Sequence, residues 1–375
     1  MIRTFRYPLH PTAAQERVLE HWLVLCQRLY NGALEERRDA WKRSKVSVGL
    51  YGQQKSLTQI RADDPEYGAL PVEVARSALA RLDKAFKAFF RRVKAGEKPG
   101  FPRFRARDRY DSFSFPFVRL EGDRLHVPKI GAIRLHLYRP LKGKAREVQI
   151  RRQGGKWWAC VSCELGEAPA KVPVSKAVGI DLGLTTFATL SDGREVDNPR
   201  YFKRAEERVS RANRNLARKQ RGSNSRTKAK VSLERAHGYV RNQRLDFARK
   251  LACTLFAEHE LVAYENLDVQ TLVQKNDGQF AKSIHDAAWR MFIGALTSKA
   301  EGAGTWAVPV NPRGTTQGCS GCGTLVPKTL RDRVHECPRC GLVLGRDHNA
   351  ALNILALGMS AAPGRGSVQS TRGPK

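Results

Sequence analysis

Two cysteine pairs near the end of the chain limit its fold more than any other feature. Cys319 and Cys322 lie in CSGCG and Cys337 and Cys340 in CPRCG, a C-x2-C-x14-C-x2-C pattern with a glycine after each pair. Two thiolates from each knuckle complete a tetrahedral Zn2+ site with no open position. Such a site is structural and holds a segment too small to build its own core. Another C-x2-C, Cys160 and Cys163 in WWACVSCEL, is read otherwise. On a strand, a three-residue offset sends the two side chains to opposite faces. These two, with Cys26 and Cys253, are expected to be packing residues. The opening MIRTFRYPLHPT lacks the apolar stretch of a signal peptide. A reducing, cytoplasmic setting is therefore expected, where paired cysteines serve as metal ligands rather than disulfides.

The knuckles are followed by one acid, Asp347, in GRDHNAALNIL. Its setting makes it unusual. The chain holds 67 Lys and Arg against 36 Asp and Glu, a formal charge of +31, so a polyanionic partner is expected. No apolar run approaches the roughly 18 residues a membrane span needs, and no membrane partner is expected. In so basic a chain, acids that close buried strands stand out. Asp181 ends the apolar run AVGID, Glu265 ends ELVAYE, and Asp347 starts the last helix. Singly they have ordinary readings: a turn former, a surface charge and a helix N-cap. Together they suit phosphodiester hydrolysis at two Mg2+ ions about 4 Å apart, which needs a few converging carboxylates.

Periodicity organises the rest. Residues 1–10 read as a short strand. A helix follows, with Thr12 as its cap and Gln15 completing a capping box. It carries Val18, Trp22, Leu25, Leu29 and Leu34 at helical spacing. A second helix over about 71–94 has Val74, Ala78, Leu82, Phe86, Phe89 and Phe90 on one side. From Gly96 the apolar-polar alternation, with the turn QGG, predicts antiparallel strands. AVGIDLGLTTFATLSDGREV reads as a β-hairpin with Gly183 in its turn region. A polar helical stretch spans 199–259, a buried strand 260–269, one amphipathic helix 283–304, a strand 305–312, and a last helix starts near 348. Residues 200–250 hold 17 Lys or Arg against 4 Asp or Glu. That excess exceeds what solubility needs, so nucleic-acid contact is expected there, with Lys203, Arg204, Arg211, Arg218 and Lys219 as candidates.

HPTAAQERVLEHWLVLCQRLYNGAL, KPGFPRFRARDRYDSFSF, GIDLGLTTFATLSDG, HELVAYENLDV, SIHDAAWRMFIGALTSKAEGAGTWAVPVNPRGTTQGCSGCG and CPRCGLVLGRDHNAALNI occur in that order. In this order they resemble the TnpB family, transposon-encoded RNA-guided DNA endonucleases akin to the compact type V CRISPR effectors. The resemblance implies a multidomain α/β fold. A RuvC-like, ribonuclease-H-like nuclease domain (171–312 and 346–357) would be interrupted by a zinc ribbon (313–345). Residues 1–10 and 96–170 would form a β-barrel-like wedge domain, 11–95 a helical recognition domain, and 358–375 a disordered basic tail. It further implies catalytic Asp181, Glu265 and Asp347 holding two Mg2+, and a structural Zn2+ on the four cysteines. The implied partners are a guide RNA from the transposon end, a matched double-stranded DNA target, and a companion transposase of the same element. The implied location is a prokaryotic cytoplasm, beside the nucleoid. Base pairing would choose the target, while Tyr51, Gln54 and Arg76 would read a short flanking DNA motif.

One position departs from the family, which usually has D-R-D before the last helix. Here the sequence is Gly345-Arg346-Asp347, so the first acid is missing, which implies a weaker hydrogen bond around the site. Thr316 also stands where serine is common. Other activities fit less well. GIDLGLTTFATL resembles the phosphate hairpin of actin- or Hsp70-like ATPases, but the cysteine quartet, Asp347 and the charge do not. A nuclease-inactive, RNA-guided DNA-binding regulator would be signalled by loss of one of the three acids, and all are present. A transposase or transposase accessory protein could use similar acids, though no tyrosine or serine recombinase constellation is present.

Overall fold

The chain enters on an alternating strand, β1 (Ile2–His10), which buries Phe5, Tyr7 and Leu9. The helix α1 (Ala13–Ser44) starts where the capping box predicts. Thr12 Oγ1 accepts from the Gln15 amide at 3.3 Å, and Gln15 Oε1 from the Thr12 amide at 3.0 Å. Two helices that apolar spacing does not announce follow, α2 (Leu50–Asp63) and α3 (Pro65–Ala69). The buried face of α2 consists of Leu57 and a polar residue, Gln53. Gln53 is satisfied inside by Arg37 Nε at 2.8 Å and the Ala33 carbonyl at 2.8 Å, so hydrophobic periodicity cannot reveal it. The helix α4 (Val72–Lys94) buries Val74, Ala78, Leu82 and Phe86 as expected, but Phe90 in its last turns is 60% exposed.

Strands β2 (Ser112–Phe115), β3 (Arg119–Glu121), β4 (Arg124–Val127), β5 (Gly131–Leu135), β6 (Lys144–Gln153) and β7 (Lys156–Glu164) join β1 in one sheet of order β2-β6-β7-β1-β5-β4-β3. The described pairings in it are antiparallel. Gly154 and Gly155 between β6 and β7 have φ of 60° and 69°, which a two-residue type I′ turn demands. The helices α1 and α4 share a single apolar core with this sheet, Trp22 standing edge-on to Phe113 at 5.7 Å.

The computed structural model describes residues 1–116, 119–274, 280–329 and 331–362. It divides into two units, Met1–Glu167 and Ala168–Lys375. The second is built on a sheet of order β10-β9-β8-β11-β12. Its strands are β8 (Ala177–Leu182), β9 (Thr186–Leu190), β10 (Glu195–Asp197), β11 (Leu261–Glu265) and β12 (Trp306–Val310). The hairpin β8–β9 is antiparallel, and β11 runs parallel to both β8 and β12. Between β10 and β11 lie α5 (Tyr201–Ala217) and α6 (Asn224–Glu258). After β11 come α7 (Val269–Gln274), α8 (Ala281–Ala287) and α9 (Trp289–Ala303). The single helix expected over 283–304 is thus broken at Ala288, whose φ is 55°. The carboxylate of Asp286 accepts from the amides of Phe202 and Lys203 at 2.7 and 3.0 Å, and from Arg244 Nη2 at 2.8 Å. It thereby caps α5, whose own N-cap residue Arg200 offers no side-chain bond.

A small hairpin, β13 (Val334–Glu336) and β14 (Val343–Gly345), precedes α10 (Arg346–Ala361). The last helix therefore continues past 358, and the expected disordered tail beyond 362 lies outside the described residues. Cys160 is half-buried and Cys163 buried, on opposite faces of β7, and Cys26 is buried. Cys253 is exposed, contrary to its expected packing role. On α6 it is the neighbour of Ala252, which takes the inward position. Among the described residues, no helix is long and apolar enough to cross a membrane.

Candidate functional site

Asp181 and Glu265 meet through strand register. In the parallel pair β8–β11, Leu261 faces Ala177 and Tyr264 faces Ile180. One step further along both strands stand Asp181 and Glu265. Both acids are buried, 9% and 7% exposed. Neither forms an ion pair with a Lys or Arg among the described residues, although the chain carries a charge of +31. Burial pushes the Asp181 carboxyl up to about 8, the charges of Glu265 and Asp347 add to the rise, and Arg346 opposes it. Glu265 is also raised by burial, while the Thr315 hydroxyl, donating to its Oε1 at 2.5 Å, pulls it down.

Asp347 reaches the pair because α10 lies directly on the sheet. At Gly179 on β8, a Cβ would stand 2.2 Å from the Ala351 carbonyl oxygen and 2.5 Å from the Leu355 amide nitrogen. At Gly358 on α10, it would stand 2.3 Å from Ala263 Cβ on β11. The two hydrogens at these positions let helix and sheet close, which brings the first turn of α10 to the ends of β8 and β11. Asp347 does not act as the helix cap. The N-cap residue is Gly345, with no side-chain bond, and Asp347 is half-exposed, accepting from Arg346 Nε at 3.1 Å. Gly345 itself has an ordinary negative φ of −56° and open space, His348 Cβ lying 4.0 Å from a Cβ there. The missing acid is therefore not excluded by sterics.

Three polar residues that sequence reading passed over hold this arrangement. Thr315 is buried and bonds both Glu265 and the Pro312 carbonyl, the latter at 3.1 Å. Asn349 accepts from the Ser320 amide at 2.9 Å and donates to the Gly318 carbonyl at 2.8 Å. Asn353 donates to the carbonyls of Thr315 and Gly318 at 2.8 and 2.7 Å. One helix thus supplies Asp347 and also clamps the loop that presents Thr315. The available signal was two asparagines four residues apart in the stretch NAALNIL, otherwise apolar, which places them on one face of the helix.

The four knuckle cysteines converge. Their sulfurs all lie within 4.8 Å of one another, with Cys319 3.6 Å from Cys340 and Cys322 3.5 Å from Cys337. A tetrahedron with metal–sulfur bonds of about 2.3 Å sets its sulfurs about 3.8 Å apart, so the quartet could hold a metal ion. Gly323 and Gly341, each after a knuckle, have φ of 76° and 69°, a left-handed turn that favours glycine. Hydrogen bonding with the Thr324 hydroxyl and amide draws the Cys322 thiol down to about 6, favouring the thiolate that metals bind.

The candidate nucleic-acid contacts lie on helices at the surface. Tyr51 on α2 is 87% exposed, Gln54 is half-buried, and Arg76 on α4 is exposed. Lys203, Arg204 and Arg211 on α5 are exposed, as is Arg218 at its end, and Lys219 is half-buried. Arg211 is already paired with Glu207 at 2.6 Å.

Comparison with known proteins gives a consistent set. Residues 160–276 match the family OrfB_IS605, described as "Probable transposase". Residues 289–354 match the "Cas12f1-like, TNB domain" and residues 1–45 the helix-turn-helix domain of OrfB_IS605. A Streptomyces pristinaespiralis protein named "Putative RNA-guided DNA endonuclease" is 31% identical over 96% of this chain and 90% of its own. The Escherichia coli protein of the same description, InsQ, is 28% identical over 99% of this chain and 96% of its own. Among solved structures, the chain in "Cryo-EM structure of the Cas12f1-sgRNA-target DNA complex" superposes with a TM-score of 0.60 at 13% identity, covering 94% of this chain and 98% of that one. The two share a fold.

Proposed function

The chain belongs to the TnpB family, and on that premise we propose that it is an RNA-guided endonuclease that hydrolyses double-stranded DNA matched to a transposon-end guide RNA. The observation that carries the proposal is the burial of Asp181 and Glu265 at neighbouring strand ends with no ion pair to either among the described residues, the charge of Arg346 offsetting only part of the cost at Asp181. Burying acids without compensation is costly, and a divalent cation site is the chemistry that fits such a donor set. On this reading the five-stranded unit is the RuvC-like nuclease domain, with the cysteine segment as a zinc ribbon within it. The seven-stranded sheet would be the wedge and α1–α4 the recognition part, holding guide and target. Tyr51, Gln54 and Arg76 would face the flanking motif, and the α5–α6 arm would follow the phosphates.

Each residue then has a task. Asp181, Glu265 and Asp347 would hold two Mg2+. A metal pair supplies water activation and stabilisation of the leaving oxygen in phosphodiester hydrolysis. Thr315 fixes the rotamer of Glu265, and Asn349 and Asn353 fix the loop that carries Thr315. The four cysteines would hold Zn2+, which closes the loop between β12 and α10 and so sets where Asp347 begins.

The test co-expresses the protein with its flanking non-coding DNA and sequences the RNA that co-purifies. The complex then meets a plasmid library with a matched target and randomised flanks. Wild type should linearise plasmids with one flank motif, while Asp181→Ala should bind the same guide and leave plasmids intact. Intact plasmids with the wild type, despite a bound guide, would overturn cleavage.

A further inference from the structure

The end of α4 and the loop after it carry an exposed ring cluster that the proposed nuclease does not use. Phe90 is 60% exposed, Phe101 47% and Phe104 48%. Phe90 stacks on Phe86 at 6.3 Å between centroids, and Phe101 meets Phe86 and Phe89 edge-on at 5.6 and 5.4 Å. This cluster is anchored. Phe86 is buried beneath the Arg37 guanidinium at 5.0 Å, and Arg37 pairs with Asp83 at 3.4 Å. The loop is pinned where Asn31 exchanges two hydrogen bonds with the backbone of Arg105, at 2.8 and 2.9 Å. Rings held in place yet left in water mark a binding surface.

Charge selects the occupant. Between Lys87 and Arg107 there are eight Lys or Arg and one acid, Glu97. Two copies meeting through this face would press like charges together. A nucleic acid fits both features, because its phosphates complement the cations and every base offers a flat π face. We propose that Phe90 and Phe101 form a platform on which an unpaired or terminal nucleobase stacks, while the surrounding Lys and Arg hold the adjoining phosphates. The platform rests on the nucleic-acid-binding part of the functional reading and is independent of cleavage.

The test uses the full chain and oligonucleotides carrying 2-aminopurine, as single-stranded RNA, single-stranded DNA, and a duplex with the probe in its last pair. Stacking quenches the probe. Phe90→Ala and Phe101→Ala should weaken binding roughly 5- to 160-fold, the usual range for losing one stacked base, and abolish the quenching. Phe90→Leu should behave like alanine, and Phe90→Trp like wild type, with thermal stability unchanged throughout. Ring variants should keep the salt dependence, whereas Arg91→Gln should flatten it. The RNA, DNA and duplex arms identify which nucleic acid supplies the base. Equal binding by wild type and Phe90→Leu overturns the platform alone. A wild-type dimer that Phe90→Ala dissociates also overturns it and assigns the face to a second copy. A wild type that binds none of the oligonucleotides overturns the platform and the functional reading together.

Discussion

Asp181 keeps its proton to about pH 8 because burial, Glu265 and Asp347 all disfavour its charge. In the unfolded chain the same carboxyl titrates near the ordinary aspartate value of 3.8. Between those values the folded state binds more protons, so stability from this group is complete below pH 4 and is lost as pH rises towards 8. A cation bound by the carboxylates competes with those protons and reverses the loss. The metal-free protein is therefore expected to melt at lower temperature as pH rises from 5 to 8. Mg2+ should raise the melting temperature more at pH 8 than at pH 5, and Asp181→Asn should remove most of that difference. Thermal unfolding at the two pH values, with and without Mg2+, checks this. A Mg2+ effect that is independent of pH would sink it.

At the scale of elements, the acids converge because α10 sits unusually close to β8 and β11. The closeness is set by the absence of side chains at Gly179 and Gly358. Gly358→Ala would drive a methyl into Ala263 Cβ, and overpacking of this kind costs about 1–3 kcal/mol. The variant should therefore melt lower and bind Mg2+ more weakly. Because the clashing atom is a single methyl, adding Ala263→Gly should recover part of both losses. Melting curves and Mg2+ titrations of the single and double variants decide it, and a double variant no better than Gly358→Ala would show that the contact does not set the spacing.

At the scale of the whole molecule, each unit has its own apolar cores. One runs through the first unit's sheet and α1–α4, the others through the second unit's sheet and helices. The cysteine quartet belongs to the second unit. Removing its metal should therefore destabilise one unit selectively. Calorimetry of the metal-loaded protein should show two transitions. A strong chelator or Cys319→Ser should lower one of them by several degrees and leave the other in place. Equal shifts in both transitions, or in neither, would count against a structural metal in the second unit.

Much of this was legible in the chain itself, wherever the deciding forces act over a few residues. The Thr12–Gln15 capping box, the Gly154–Gly155 turn, the knuckle glycines and the opposite faces of Cys160 and Cys163 all depend on local backbone geometry. So did the placing of Asp181 and Glu265 at the ends of apolar strands. Other features needed the folded chain. The break at Ala288, the polar burial of Gln53, the exposure of Phe90 and Cys253, and the roles of Thr315, Asn349 and Asn353 depend on which distant segment lies opposite. A side chain's neighbours across the core leave no trace in its own periodicity. Sequence alone singled out the acids Asp181, Glu265 and Asp347 and the elements on which they sit. Tertiary structure decided that Asp181 and Glu265 are buried at neighbouring strand ends with the charge of Asp347 close enough to act on Asp181, because only the parallel β8–β11 register and the bare glycines under α10 bring segments so far apart within reach.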